Sequence, residues 1–184
     1  MLSRVIGAFH RCPLVDQLVV VGSPRLDELE AMQHVRKRVF TGLNVVQNLL
    51  HAVTYVKYRL YDGRTDHPGY VISFCDAVFL TPQIVQATLQ RITAEDADVV
   101  LHYVQRSAFE EAGLPTQRTY LKVAGMELTG TVIYYVRRFK QVFSIMPQLV
   151  KLRKHRKHPK RFLELIGCHS EMSLQEVETA ISER

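Results

Sequence analysis

The spacing of hydrophobic residues along the chain predicts helices that alternate with strands. Apolar positions at helical spacing predict a helix at the N-terminus, one after Asn44 and one after Thr81-Pro82. Near-continuous apolar runs, which are typical of strands buried on both faces, predict strands at 18–21, 70–75 and 98–103. More polar strands are predicted at 35–40, 118–123 and 127–136. This alternation indicates an α/β fold with three layers and a mostly parallel sheet.

The sequence lacks the features that would divide the chain into several domains. No internal repeat, low-complexity tract or linker divides the chain, and 184 residues suit a single domain. We therefore expect one domain over residues 1–184, with a basic, helical C-terminal segment at 151–184.

Composition excludes several classes of protein. A hydrophobic fraction of 47% with 23% charged residues is ordinary for a folded chain, which argues against wholesale disorder. No apolar stretch approaches the roughly 18 residues of a membrane-spanning helix, and Arg4 and His10 interrupt the start of the chain, which makes it a poor signal peptide. Cys12, Cys75 and Cys168 are odd in number and lack metal-type spacing. We expect no disulfide framework, no membrane association and a location in the cytoplasm.

The positive charge is concentrated near the C-terminus. Seven of the 24 basic residues lie between Lys151 and Arg161 without an acid among them, and the remainder nearly balance the 18 acidic residues. This run could be a solvated helix face, a phosphate clamp or a nucleic-acid patch. The solvated face is the default, and phosphate contact by one or two lysines comes next. Nucleic-acid binding is less favoured because the run contains no interleaved aromatic residues.

Asp76 is the most informative candidate for chemistry. It follows the predicted strand at 70–75 and precedes a predicted helix, which places it where ligands bind in open α/β sheets. A carboxylate there can hold a divalent cation that in turn binds phosphate oxygens. The alternative is a turn aspartate that hydrogen-bonds local backbone. Asp96 and Asp98 have the spacing of a metal-binding pair, but they precede their strand, so we interpret them as solvated turn acids.

The motifs, taken in order, resemble the MobA-like NTP transferase family, nucleotidyltransferases related to molybdenum-cofactor guanylyltransferase. Phe74–Thr81 (FCDAVFLT) resembles the family motif G-D-x-P-x-L-T, with Asp76 at its metal-binding aspartate. The segment 41–53 (TGLNVVQNLLHAV) resembles the family helix that carries an asparagine, here Asn48, and 156–167 (RKHPKRFLELIG) resembles a motif that contains Lys157 and Lys160. The resemblance implies a nucleotide-diphospho-sugar transferase (GT-A-like) fold. It also implies Mg²⁺ at Asp76, with Asn48, Lys157 and Lys160 as nucleotide or phosphate contacts.

Departures from the family pattern are equally specific. The family's first strand and glycine-rich loop have no counterpart, so the fold is expected with a missing or degenerate first β-strand. Thr131-Val132 stands where the family has glycine and asparagine, which removes the expected second metal ligand. The resemblance therefore implies either that coding sequence extends upstream of Met1, which we favour, or that the protein is a degenerate relative. Without the first strand, unpaired strand edges could support a homo-oligomer.

Two main hypotheses follow. The first is a Mg²⁺-dependent nucleotidyltransferase that transfers NMP from a nucleoside triphosphate to a phosphorylated or small-molecule acceptor, the activity of this chain itself being in doubt. The second is a non-catalytic module that binds a nucleotide or a protein. Nucleic-acid binding through Lys151–Arg161 is a third and weaker interpretation.

Overall fold

The computed structural model describes residues 1–40, 44–63, 69–77, 79–94, 97–138 and 140, with the backbone alone at 131 and 132. Contacts divide the described residues into two units. One unit comprises residues of 1–100 and 132–140, and the other comprises residues of 101–131. The predictions for the C-terminal segment, including the helical region 151–184, Lys157 and Lys160, lie outside the described residues.

Two of the four α-helices described begin at a capping residue that the sequence predicts. The four helices are α1 (Leu2–His10), α2 (Val45–Tyr55), α3 (Pro82–Ala94) and α4 (Arg106–Glu111). The side chain of Asn44 accepts a hydrogen bond from the backbone N–H of Gln47 at 3.0 Å, which caps α2 as predicted. A π-helix, Val56–Leu60, continues directly from α2, and two 3₁₀ helices, Pro24–Glu28 and Glu30–His34, follow the first strand.

The strands form two separate sheets. They are β1 (Val19–Val21), β2 (Lys37–Val39), β3 (Tyr70–Ser73), β4 (Val99–Gln105), β5 (Leu121–Val123) and β6 (Met126–Val136). The first two pair in parallel in a two-stranded sheet. The other sheet has the order β3-β6-β4, and β5 also pairs with β6. Both β3 and β5 run antiparallel to β6.

This topology shows that the predicted three-layer, mostly parallel GT-A-like sheet with a missing or degenerate first strand is wrong. The individual strands lie close to the predicted positions, but only β1 and β2 form a parallel pair among the pairings described. The error has a physical cause. An apolar run indicates that a strand is buried on both faces, but it carries no information about the direction of the neighbouring strand. Here the long β6 lies between β3 and β4.

In the unit that contains residues 1–100, the core includes side chains of α1, α3 and the long strand β6. Val5, Ala8 and Phe9 of α1 pack in one cluster with the buried side of α3 and with Ile133 and Tyr135 of β6. The buried side of α3 is formed by Val85, Leu89 and Ile92. Helix α1 therefore buries the apolar residues that its spacing predicts, and α3 buries most but not all of its predicted apolar face. Within the ranges described, every helix is too short or too polar to cross a bilayer.

Candidate functional site

Asp76 lies in the tight turn that joins β3 to the segment leading into α3. The backbone N–H of Ala77 donates to the carbonyl of Phe74 at 3.4 Å, and that of Leu80 donates to the carbonyl of Ala77 at 3.1 Å. Ala77 is buried in the core cluster, whereas Asp76 is exposed. The buried alanine therefore anchors the turn while the neighbouring carboxylate faces solvent.

The start of α3 fixes the other side of this turn. Thr81 Oγ1 accepts a hydrogen bond from the backbone N–H of Ile84 at 3.2 Å, and Pro82 is the first helical residue. Both features are as predicted, because threonine caps a free N–H and proline needs no hydrogen bond at that position. The candidate carboxylate is thus held between a strand end and a capped helix start.

The carboxylate of Asp76 takes part in no hydrogen bond or ion pair with the part of the chain that the structure describes. A turn aspartate with a structural role would accept a hydrogen bond from a nearby backbone N–H. That contact is not formed with the described residues. Within the described residues, the side chain is therefore available to a ligand.

The negative charge of Asp76 affects the pKa of Tyr134 on β6. Burial raises the pKa of its phenol, and the negative charge of Asp76 raises the pKa further. The ring of Phe74 meets the ring of Tyr134 edge to face, with 5.9 Å between centroids and 81° between planes. Asp76 thus borders an aromatic pair.

Ser73, the last residue of β3, contributes a second polar group. Its Oγ is buried and has no hydrogen-bond partner among the described residues. Neither Ser73 nor Tyr134 was predicted from the sequence. Tyr134 could not be found from local pattern, because it lies on a strand far along the chain whose pairing with β3 brings it close.

The described residues offer a limited set of metal ligands. They contain no group of three or more His, Cys, Asp or Glu side chains placed to hold a metal ion. Mg²⁺, however, commonly retains several waters and binds through one or two carboxylates together with substrate phosphates. Asp76 alone therefore fits the role of a single protein ligand to a hydrated Mg²⁺, and it does not fit an all-protein metal cage.

Asn48 is not brought to Asp76 by any contact that the structure describes, and Lys157 and Lys160 lie outside the described residues. Asn48 is half-buried in the first turns of α2, and its backbone N–H donates to the carbonyl of Asn44 at 3.0 Å. That helix contacts β1 and β2, whereas Asp76 follows β3. The assignments of Asn48, Lys157 and Lys160 stay predictions.

Asp98 has the surroundings expected of a turn acid. It is exposed and precedes β4, and its backbone carbonyl accepts a hydrogen bond from the N–H of Arg137 at 2.8 Å. Asp96 lies outside the described residues. Cys12 and Cys75, the two described cysteines, are both free thiols, one buried and one exposed.

No protein-family model and no curated protein sequence matches the chain. Among solved structures, the chain is similar to a hypothetical transferase from Thermus thermophilus, with 21% sequence identity and a TM-score of 0.74. The likeness covers 100% of this chain and 74% of that protein. At this identity it shows a shared fold and nothing finer. The membership of the MobA-like family therefore stays a prediction.

Proposed function

We propose that this protein is a transferase that acts on a Mg²⁺-bound nucleoside triphosphate and passes a nucleotidyl group to a phosphorylated or small-molecule acceptor. The observation that carries the proposal is the exposed carboxylate of Asp76, which follows β3 and makes no hydrogen bond or ion pair with the described residues. The shared fold with a protein named as a hypothetical transferase supports the reaction class. The identity of the donor as a nucleotide rests on the resemblance of the motifs around Asp76.

Each residue has a limited role in this proposal. Asp76 would hold Mg²⁺, which would neutralise phosphate charge as the group is transferred. Lys157 and Lys160 would bind phosphate oxygens, and Asn48 would contact the nucleotide. None of these contacts requires a group on the protein to form a covalent intermediate, because nucleotidyl transfer depends mainly on positioning and charge neutralisation.

Calorimetric titration with Mg-CTP and Mg-GTP tests the proposal. We expect one of the two nucleotides to bind, and we expect Asp76→Asn to weaken binding by roughly tenfold or more, since one charge-assisted contact is lost. Asp98→Asn is a matched control because Asp98 is also an exposed aspartate beside a strand. Absence of binding by either nucleotide, or equal losses in the two variants, would contradict the proposal.

A non-catalytic nucleotide- or protein-binding module is the second candidate. It is favoured by Val132, which stands at the position of the asparagine expected as second metal ligand, and by the lack of a three-ligand cluster among the described residues. An assay for pyrophosphate release separates the two candidates. Nucleotide binding without pyrophosphate release from any acceptor tested would favour the module, and measurable release would favour the enzyme.

A further inference from the structure

A polar cleft of about 290 Å³ lies at the end of the parallel sheet where β1 and β2 begin. The polar residues that line it are His10, Asp16, Gln17, Gln33, His34 and Arg36. All of them belong to the unit that contains residues 1–100. The proposed function uses none of these residues.

Two histidines form the most ordered part of this wall. His10 is the last residue of α1, and His34 is the last residue of the second 3₁₀ helix. Their rings stack with 3.9 Å between centroids and 14° between planes. The side-chain nitrogen of Gln33 lies 3.5 Å from Nε2 of His34. The stack fixes two imidazole edges, each with an N–H that can donate.

Arg36 lines the same cleft as the histidines and supplies a permanent positive charge. Its backbone N–H donates to the carbonyl of Leu18 at 2.8 Å, and this hydrogen bond joins the two segments just before β1 and β2 begin. Its exposed guanidinium forms no ion pair within the described part of the chain. A guanidinium offers a planar fork of donors that matches phosphate oxygens.

Asp16 is the single acid in the wall, and its carboxylate is already engaged. Its Oδ2 accepts a hydrogen bond from the hydroxyl of Tyr61 at 2.6 Å. Its Oδ1 lies 3.5 Å from the side-chain nitrogen of Gln17. The remaining polar groups of the wall are a cation, two imidazoles and two amides, which together form a set dominated by donors.

We propose that this cleft binds a phosphate group, with Arg36 as the charged contact and His10 and His34 as further donors. Pockets for drug-sized ligands begin at about 300 Å³, so the volume suits inorganic phosphate or a small phosphate monoester rather than a nucleoside triphosphate. The site is independent of the proposed function, because it neither contains nor contacts Asp76 among the described residues.

Side-chain NMR of the histidines in the full chain, titrated with inorganic phosphate or glycerol phosphate at fixed ionic strength, tests this site. We expect saturable shifts of the His10 and His34 resonances, assigned with His10→Gln and His34→Gln. Arg36→Gln should weaken binding by roughly tenfold or more, as expected for the loss of a charge-assisted contact. Arg91→Gln, which removes an exposed arginine on α3, is the matched control and should leave the affinity unchanged.

The two ligands distinguish the source of the phosphate. Tighter binding of glycerol phosphate would identify a monoester, and equal or tighter binding of inorganic phosphate would identify the free anion. Either result supports the site. The proposal is overturned if neither ligand produces saturable shifts, or if Arg36→Gln and Arg91→Gln bind phosphate as tightly as the unmodified protein. Nucleotide binding at Asp76 is measured separately, so the two proposals can fail independently.

Discussion

At the scale of single residues, the relation between Asp76 and Tyr134 links the turn after β3 to the strand β6. Asp76 is exposed and Tyr134 is half-buried, so the two groups experience different solvation. Burial is the larger cause of the raised pKa of Tyr134, and the charge of Asp76 is the smaller one. The phenol of Tyr134 therefore reports on the charge at residue 76 without the need for a bound ligand.

We expect Asp76→Asn to lower the pKa of Tyr134 without restoring it to its ordinary value. The substitution removes the nearby negative charge but leaves the burial unchanged. An alkaline NMR titration of the tyrosine ring resonances measures the pKa, with Tyr134→Phe to assign the signal. Asp98→Asn serves as control. An unchanged Tyr134 pKa in Asp76→Asn would show that the carboxylate does not act on the phenol.

Residue patterns predicted one member of this pair and not the other. An apolar run that ends at an aspartate and is followed by a threonine-proline helix start placed Asp76 beside a strand end, and the structure has it there. Tyr134 belongs to a strand that pairs with β3 through contacts such as Ile72 with Tyr134. Contacts between residues so distant in sequence leave no local pattern, and for that reason Tyr134 was missed.

At the scale of elements, the hairpin of β5 and β6 has a turn whose first residue fits its backbone conformation poorly. Val123 pairs with Met126, so the loop consists of Ala124 and Gly125 alone. Both residues have positive φ, 50° at Ala124 and 75° at Gly125. Two-residue hairpin loops of this kind favour asparagine followed by glycine, because a Cβ is strained at positive φ and asparagine tolerates it better than alanine.

We expect Ala124→Asn to stabilise the protein by about 0.5–1 kcal/mol, because asparagine fits the left-handed backbone of the turn. Ala124→Val should destabilise it, since a β-branched side chain fits that backbone worst. Urea unfolding of the two variants beside the unmodified protein measures the change in free energy. Equal stability of Ala124→Asn and Ala124→Val would mean that the turn does not hold this conformation in solution.

Helix stripes were predicted more accurately than sheet topology, and α3 shows where even a stripe fails. Val85, Leu89 and Ile92 are buried, as their spacing predicts. Ile84 belongs to the same predicted stripe, yet it is 45% exposed. It lies in the first turn of α3, directly after the residues that join the helix to Asp76. The spacing of apolar residues shows which face of a helix is buried. It does not show how many turns of that face the core covers.

At the scale of the whole molecule, β3 connects the candidate site to the stability of the fold. Tyr70 begins this strand and pairs with Val136, and only 6% of its surface is exposed. Burial is the main cause that raises the pKa of Tyr70 to about 12, and the neighbouring Tyr58 adds to it. Burial at this position therefore favours the neutral phenol over the phenolate.

The raised pKa makes the stability of the protein depend on alkaline pH. Below pH 10 the phenol is protonated in both the folded and the unfolded chain, and its contribution is fully present. Between the ordinary pKa of 10.0 and the folded value of about 12, the unfolded chain releases the proton while the folded chain retains it. The free energy of unfolding should consequently fall by about 2 kcal/mol across this window.

Tyr70→Phe should reduce this alkaline loss, because phenylalanine has no proton to release in the unfolded chain. Urea unfolding at a series of pH values from 8 to about 11.5 measures the slope of stability against pH. Tyr55→Phe, on α2, is the matched control and should keep the slope of the unmodified protein. A Tyr70→Phe slope as steep as that of the control would contradict the burial of this phenol, because an exposed tyrosine ionises equally in both states. A flatter slope would show that the strand preceding Asp76 is packed in the folded core, independently of any ligand.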